Sequence, residues 1–480
     1  MNELALPWLE MAILSAVVGA TAVGRLRSTD RVRKWSVFFA GCSLLCVSGA
    51  WLNFQFLDAN EAADGFQLAH RLFGFNAFVI DQLNAPLLAL VALLYFLAIV
   101  STLRATVDHF SFAWTLASEA IALATFGTQQ PLLIIGLLVL GTLPPLIELR
   151  TRGKPIRMYL LYMGLFVLLL VVGGAIAEKE RGLGEHSLWA AAPLLGAVLI
   201  RSGIAPFHSW MTALFEHASF GTAVLFVAPI VGAYAAVRLV LPIASDSMLQ
   251  TMGLISLMTA VYAAGMAIVQ RDARRFYCYL FLSHSALVLV GLEMITPHGL
   301  TGALCVWLSV GLALGGFGLT LRALEARCGR LSLADFQGLY EHTPNLAMCF
   351  MLTGLASVGF PGTFGFVGGE LLVDGAVETY PHVGLAVVLA AMLNGIAIVQ
   401  AYFLLFTGRQ YFSSVSLRIR IRERYALLAL AALILLGGLL PQPGVLSRRN
   451  AADEILKNRA QLQPEVASEE SPRAAYLWSD

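Results

Sequence analysis

Leu199-Ile200-Arg201-Ser202-Gly203-Ile204-Ala205-Pro206-Phe207-His208-Ser209-Trp210 is the stretch on which the reading of this sequence turns. It lies inside an apolar run from 187 to 216, which is longer than the roughly 20 residues that cross a bilayer as one straight helix. Gly203 and Pro206 interrupt the run. A proline inside a helix removes one backbone donor and clashes with the preceding turn. The stretch therefore reads as a helix broken within the membrane, with Arg201 and His208 on either side of the break. A second long run, 345–375, is interrupted in the same way by Gly359-Phe360-Pro361-Gly362.

Working outward, about fourteen apolar runs have the length of a membrane span: 4–23, 35–57, 84–103, 111–127, 131–149, 157–177, 187–216, 219–242, 248–269, 273–295, 300–324, 345–375, 382–407 and 424–443. The bulk composition agrees. Of 480 residues, 58% are hydrophobic and 13% charged, about half the charge of a soluble domain. A net charge of +1 argues against a nucleic-acid partner. Met1 to Ala20 contains no Lys or Arg, so the first run reads as a permanent span and not a cleaved leader.

Basic residues fall on alternate connections: Arg25 to Lys34, then Arg104, Arg150 to Arg157, Arg271 to Arg275, Arg322 to Arg330, and Arg409, Arg418, Arg420 and Arg424. The intervening loops are neutral or acidic, with Asp58, Glu61, Asp64, Glu178, Glu180 and Glu185. The positive-inside rule then places both termini outside the cytoplasm of a bacterial-type inner membrane. The expected fold is an all-α polytopic membrane protein. An N-terminal three-helix segment (1–110) precedes a five-helix unit at 111–242, broken near 203–210. A second five-helix unit at 248–407 is broken near 359–369. A last span at 424–443 and a polar tail at 447–480 follow. Two units of odd helix number, each with one broken helix, are expected to be inverted relative to one another.

Charge inside a bilayer is costly enough that such groups are functional candidates. The first cluster surrounds the first break: Arg201, His208, Glu216 and His217. Glu370 and Asp374 follow the second break one helical turn apart; an emerging helix end would account for Asp374 by itself. Arg274 and Arg275 open the run 273–295, where they also fit a basic cytoplasmic edge, and His284 lies deeper, between Ser283 and Ser285. A mid-helix histidine can relay protons or simply be packed. Arg201 could equally cap a helix end and His208 plug the break. Glu10, Glu119 and Glu293 receive no role. The six cysteines form no CxxC pair, and no metal or cofactor motif is present. Gly311 and Gly315 are spaced for close helix packing.

With these residues set out, a resemblance emerges. Arg201 to Trp210 resembles the "K-x-x-x-x-P-x-H-x-W" stretch of the antiporter-like subunits of respiratory complex I and the related Mrp antiporters, and the M-type (chain 4-like) subunit most. Gln270 to Arg275 with Ser283-His284 resembles their "Q-x-D-x-K-R … S-H" segment, and Phe360 to Gly368 their "L-P-G-T-x-x-F-V-G-E" break. The resemblance implies two inverted five-helix repeats and proton transfer along buried Glu and Lys residues. Several of those carriers are replaced: the positions fall on Val139, Arg201, Ile230, Val310 and Gly369, the last beside Glu370. Arginine does not give up its proton as lysine can.

The leading expectation is a membrane subunit of a proton- or cation-translocating complex of the complex I/Mrp type. It would not be catalytic alone, would hold no cofactor, and would belong with other membrane subunits, as in an NADH:quinone oxidoreductase-type translocase. The proton or ion pathway would involve Arg201, His208, Glu216, His217, Arg274, His284 and Glu370. Two alternatives stand beside it: an ion-coupled membrane partner of a soluble cytoplasmic protein for inorganic-carbon uptake, and a scaffold subunit that no longer conducts.

Overall fold

The computed structural model describes residues 2–57, 59–65, 71, 76–102, 111–181, 187–408 and 421–462. Asp58, Arg104, Glu185, Arg409, Arg418 and Arg420 lie outside the described residues, as does the tail beyond Leu462. The chain forms helices α1 (Trp8–Gly24), α2 (Thr29–Leu57), α3 (Asn84–Val100), α4 (Phe112–Gly127), α5 (Pro131–Gly141), α6 (Leu143–Thr151), α7 (Arg157–Glu180), α8 (Leu188–Arg201), α9 (Ser209–His217), α10 (Phe220–Val227), α11 (Val231–Ala235), α12 (Asp246–Ile268), α13 (Ala273–Glu293), α14 (Pro297–Cys328), α15 (Pro344–Ser357), α16 (Phe364–Thr379), α17 (Pro381–Phe406), α18 (Ile421–Leu439) and α19 (Gln442–Leu462). Among the described residues eight helical spans, counting α5 with α6 and α10 with the helical turns after it, are long and apolar enough to cross a membrane, and five shorter helices are also apolar. This is a polytopic membrane bundle.

Helices α13 and α14 form its axis, each with 94% of its most apolar window buried. Gly311 and Gly315 of α14 let Leu90 and Leu94 of α3 seat against its backbone. On its other side, a Cβ at Gly302 would overlap the backbone of Leu371 and Leu372, and one at Gly368 the backbone of Cys305 and Val306. So α14 and α16 touch main chain to main chain, the close approach that small residues allow in membranes.

Both expected breaks are present. At the first, Gly203 adopts φ +72°, Trp210 Nε1 donates to Ile200 O at 2.9 Å, and the Ala205 amide donates to Thr259 Oγ1 at 3.1 Å. At the second, Gly359 and Gly362 adopt φ +82° and +85°. The run read as a span at 219–242 is kept as one helical span, Phe220–Val240, with a third, local interruption inside it. Pro229 ends α10, Ile230 takes a left-handed φ of +49°, and Trp307 Nε1 donates to the Pro229 carbonyl at 3.1 Å. A π-turn at Ala236–Val240 follows.

The fold is not purely helical. Strands β1 (Asn2–Glu3), β2 (Glu61–Ala63) and β3 (Val79–Asp81) form a small sheet in that order, β1 parallel and β3 antiparallel to β2. Asp81 accepts the Asn84 amide at 2.8 Å and Asn84 accepts the Asp81 amide at 2.9 Å, which caps α3. Asp81 also pairs with Arg238. Helix α19 lies on this sheet face: Arg448 donates to Leu83 O at 3.0 Å, and Arg459 donates to Ala244 O at 3.0 Å and Asp246 at 2.6 Å. The N-terminal strand and α19 therefore share one face. Gly302→Ala is expected to lower stability by about 1–3 kcal/mol. Gly369→Ala, where nothing lies within 4 Å of the added methyl, should be neutral or stabilising by up to ~1 kcal/mol. Thermal unfolding of the two variants in detergent measures the difference.

Candidate functional site

Arg201 is the last residue of α8, left at the break because the helix cannot continue past Gly203. It is 6% exposed. One N–H donates to Phe226 O at 3.1 Å, and the guanidinium lies 4.0 Å from the centroid of the Phe226 ring and 5.8 Å from that of Trp210. Among the described residues no carboxylate comes within ion-pair distance of it. Arg201 instead faces a cavity of about 60 Å³, which Tyr95, Thr115, Ser118, Thr125, Pro229 and Glu148 also line. A second cavity of about 10 Å³, bounded by Ser202, Gly232 and Ser285, touches Arg201 as well. At 10–15 Å³ for about one water, the first holds several waters and the second one.

Glu148, which the sequence reading did not select, closes the far end of the larger cavity. Its carboxylate accepts the Ser219 amide at 2.7 Å and the Thr222 hydroxyl, and Arg152 pairs with it at 3.2 Å. These contacts tie α6 to the start of α10. Glu119 of α4 is 0% exposed, with the Ser43 hydroxyl beside it. Tyr95 is within electrostatic reach of both Glu119 and Arg201. Glu148 thus shares a cavity with Arg201 without pairing with it, and Glu119 lies outside that cavity. Glu293 is also buried, folded over Gly253.

The other sequence-selected residues separate. Asp272 caps α13 by accepting the Arg274 and Arg275 amides, and the two arginines then diverge. Arg274 pairs with Glu325, its Nε 2.7 Å from the carboxylate, and donates to Phe215 O at 3.2 Å and Ala218 O at 3.0 Å. It locks the end of α9 to α14. Arg275 meets Glu216 at 3.3 Å with both side chains substantially exposed. His217 is half-buried at the end of α9. His208 is half-buried against the rings of Tyr262 and Tyr279, at 5.7 and 6.1 Å, and does not line either cavity.

His284 is buried, with Nδ1 2.8 Å from Leu280 O. Its neighbour Ser283 donates to Ala260 O and accepts Asn394 Nδ2, both at 2.8 Å. Asn394, fully buried in α17, is a second polar residue the sequence reading passed over. Glu370 and Asp374 share the exposed face of α16, apart from this interior network.

The arrangement offers ionisable and hydroxyl groups around small cavities inside an apolar bundle, a setting for moving or holding ions. Arg274→Gln is expected to cost about 3–5 kcal/mol, because it strands a partly buried Glu325. Arg275→Gln should cost under ~1 kcal/mol, as exposed pairs do. Comparing chemical or thermal denaturation midpoints of the two variants checks the contrast; equal losses would contradict it.

The family described as the transmembrane part of NADH:quinone oxidoreductase/Mrp antiporter matches residues 156–394. Chain 4 1 of the NAD(P)H-quinone oxidoreductase of Synechococcus elongatus is 27% identical over 451 residues, covering 86% of this chain and 83% of the relative. Subunit 13 of the NADH-quinone oxidoreductase of Thermus thermophilus is 27% identical over 387 residues, covering 75% and 81%. Among solved structures, a chain of the Mrp complex from a Dietzia species superposes with TM-score 0.84 at 17% identity, covering 95% of this chain and 98% of that one. A chain of respiratory complex I from Thermus thermophilus superposes with TM-score 0.80 at 24% identity, covering 94% and 99%. These likenesses extend the matched fold over nearly the whole chain.

Proposed function

The chain belongs to the antiporter-like membrane-subunit family of NADH:quinone oxidoreductases and Mrp antiporters, and from that premise we propose that it carries protons as one subunit of a multi-subunit translocating complex. In this reading about fourteen spans form two inverted five-helix repeats around the first two breaks, and both termini face away from the cytoplasm. The observation that carries it is the cavity joining Glu148 to the buried Arg201, since a water-holding space between ionisable groups is what a proton route needs. Arg201 acts as a fixed charge that orders water and repels other cations, because arginine holds its proton. Glu148 and Glu119 take the part of the carboxylate that Val139 lacks. The Ser283–Asn394–His284 group continues the polar interior into the second half.

The second break supports a multi-subunit setting. Phe360 is 52% exposed, and Pro361, Gly362, Glu370 and Asp374 are exposed beside it. Non-helical backbone and carboxylates at membrane depth persist only against protein or water. This face is therefore where a neighbouring membrane subunit sits.

Two experiments test the reading. With the purified complex in proteoliposomes and a pH-sensitive dye, Glu119→Gln and Glu148→Gln should each cut proton flux by at least about tenfold, since one positioned proton-transfer group is worth about 100-fold or more. Unchanged flux in both removes the assignment, and no flux in the parent complex favours the scaffold reading, to which the loss of a titratable lysine at Arg201 already lends weight. A Gly369→Cys variant should react with a membrane-permeant maleimide in the isolated chain and be protected in the complex. Equal labelling in the two would place the neighbour elsewhere.

A further inference from the structure

A guanidinium carries five N–H donors and a full charge, and Arg201 satisfies only one of those donors on protein, at Phe226 O. No carboxylate among the described residues pairs with it. Glu148, the acid that shares its cavity, is already engaged by Ser219, Thr222 and Arg152. Glu119, also buried, does not line this cavity. A charge this deeply buried needs a counter-charge, and lysine's remedy of giving up the proton is closed to arginine. The Phe226 and Trp210 rings lie 4.0 and 5.8 Å from the guanidinium, and Arg201 lines the cavity of about 60 Å³. That space opens to the bundle surface at Ser111 and Trp114. It is ample for a halide, which is little larger than a water, together with a few waters at 10–15 Å³ for about one.

We propose that the cavity bounded by Arg201, Tyr95 and Thr125 is a binding site for a chloride-sized monovalent inorganic anion, held by the Arg201 N–H edge. The anion neutralises the guanidinium and, with it, sets the potential that a proton meets at the first break. The site shares Arg201 with the proton route proposed above, but anion binding is read without flux, so either can fail alone.

The test uses the purified full-length chain in detergent at constant ionic strength, comparing chloride or bromide with gluconate, a bulky organic anion much larger than a halide. The thermal midpoint should be higher in the halides by about 2 °C or more and saturate with concentration, as for a ligand that binds only the folded state. Arg201→Gln should abolish the difference, and Arg201→Lys should keep part of it. Equal midpoints in halide and gluconate, or a halide effect that survives in Arg201→Gln, would overturn the proposal. Should Arg201→Gln fail to fold, bromide-soaked crystals of the wild-type protein decide: an anomalous peak beside Arg201 supports the site, and its absence with bromide ordered elsewhere rejects it.

Discussion

In hydrocarbon, a backbone amide or carbonyl that leaves a helix has no water to turn to, and the structure is arranged around that constraint. The first and third interruptions are met by groups from another element or from beyond the gap. Trp210 reaches back across the first break to Ile200, Thr259 comes in from α12, and Trp307 crosses from α14 to Pro229. The second break turns on Gly359 and Gly362 and leans on the glycine-lined contact between α14 and α16. These contacts explain why α14 is so long and so deeply buried: it is the common wall against which two of the three interruptions rest. They also fix Arg201, whose backbone is immobilised on one side of a break and whose ring contacts come from elements beyond it.

The two halves of the molecule treat polarity differently. Around the first break charge is permanent: Arg201 sits among aromatic rings with carboxylates nearby but unpaired, and Arg274 binds Glu325 tightly. Around α13 and α17 the interior is neutral at its core, a serine, an asparagine and a histidine bonded to each other or to carbonyls. A permanent charge steers ions without binding or releasing them, whereas a neutral hydroxyl–amide group can hand a proton along only if its donors reorient. The permanent charge is Arg201's, since arginine holds its proton where a lysine could titrate.

Much of the scaffold could be read from residue order because apolar run length and Gly–Pro interruptions are local signals. The breaks at 203–206 and 359–362 announce themselves in runs too long for one crossing. Pro229 gives the same local signal, but 219–242 has the length of a single span, so nothing in the run demands a break there. Strands of two or three residues are too short to leave a pattern. Glu148 follows two prolines and precedes Arg150 and Arg152, a local setting that does not distinguish a buried acid from one at a helix end. Its burial is decided by Ser219 and Thr222, some seventy residues away. Glu119 and Asn394 are polar residues inside largely apolar helices, and only the packing tells which face turns inward. Arg274 and Arg275 are adjacent in sequence, yet the helix turn sends one to a two-carbonyl lock and the other to the surface.

Helix α19 has a consequence for how the protein is made. Its arginines grip the carbonyl ends of segments laid down long before it, Arg448 at residues 82–83 and Arg459 at 241–246. Those carbonyls belong to the entry of α3 and to the link between α11 and α12, so they lie on the two sides of the first five-helix unit. During synthesis they stay ungripped until α19 has emerged and folded back. The bundle can thus be fully inserted yet still loose across its sheet face, and the last described helix fastens it. For a subunit that must be recognised by neighbours, that fastening marks the difference between a nascent chain and a finished one.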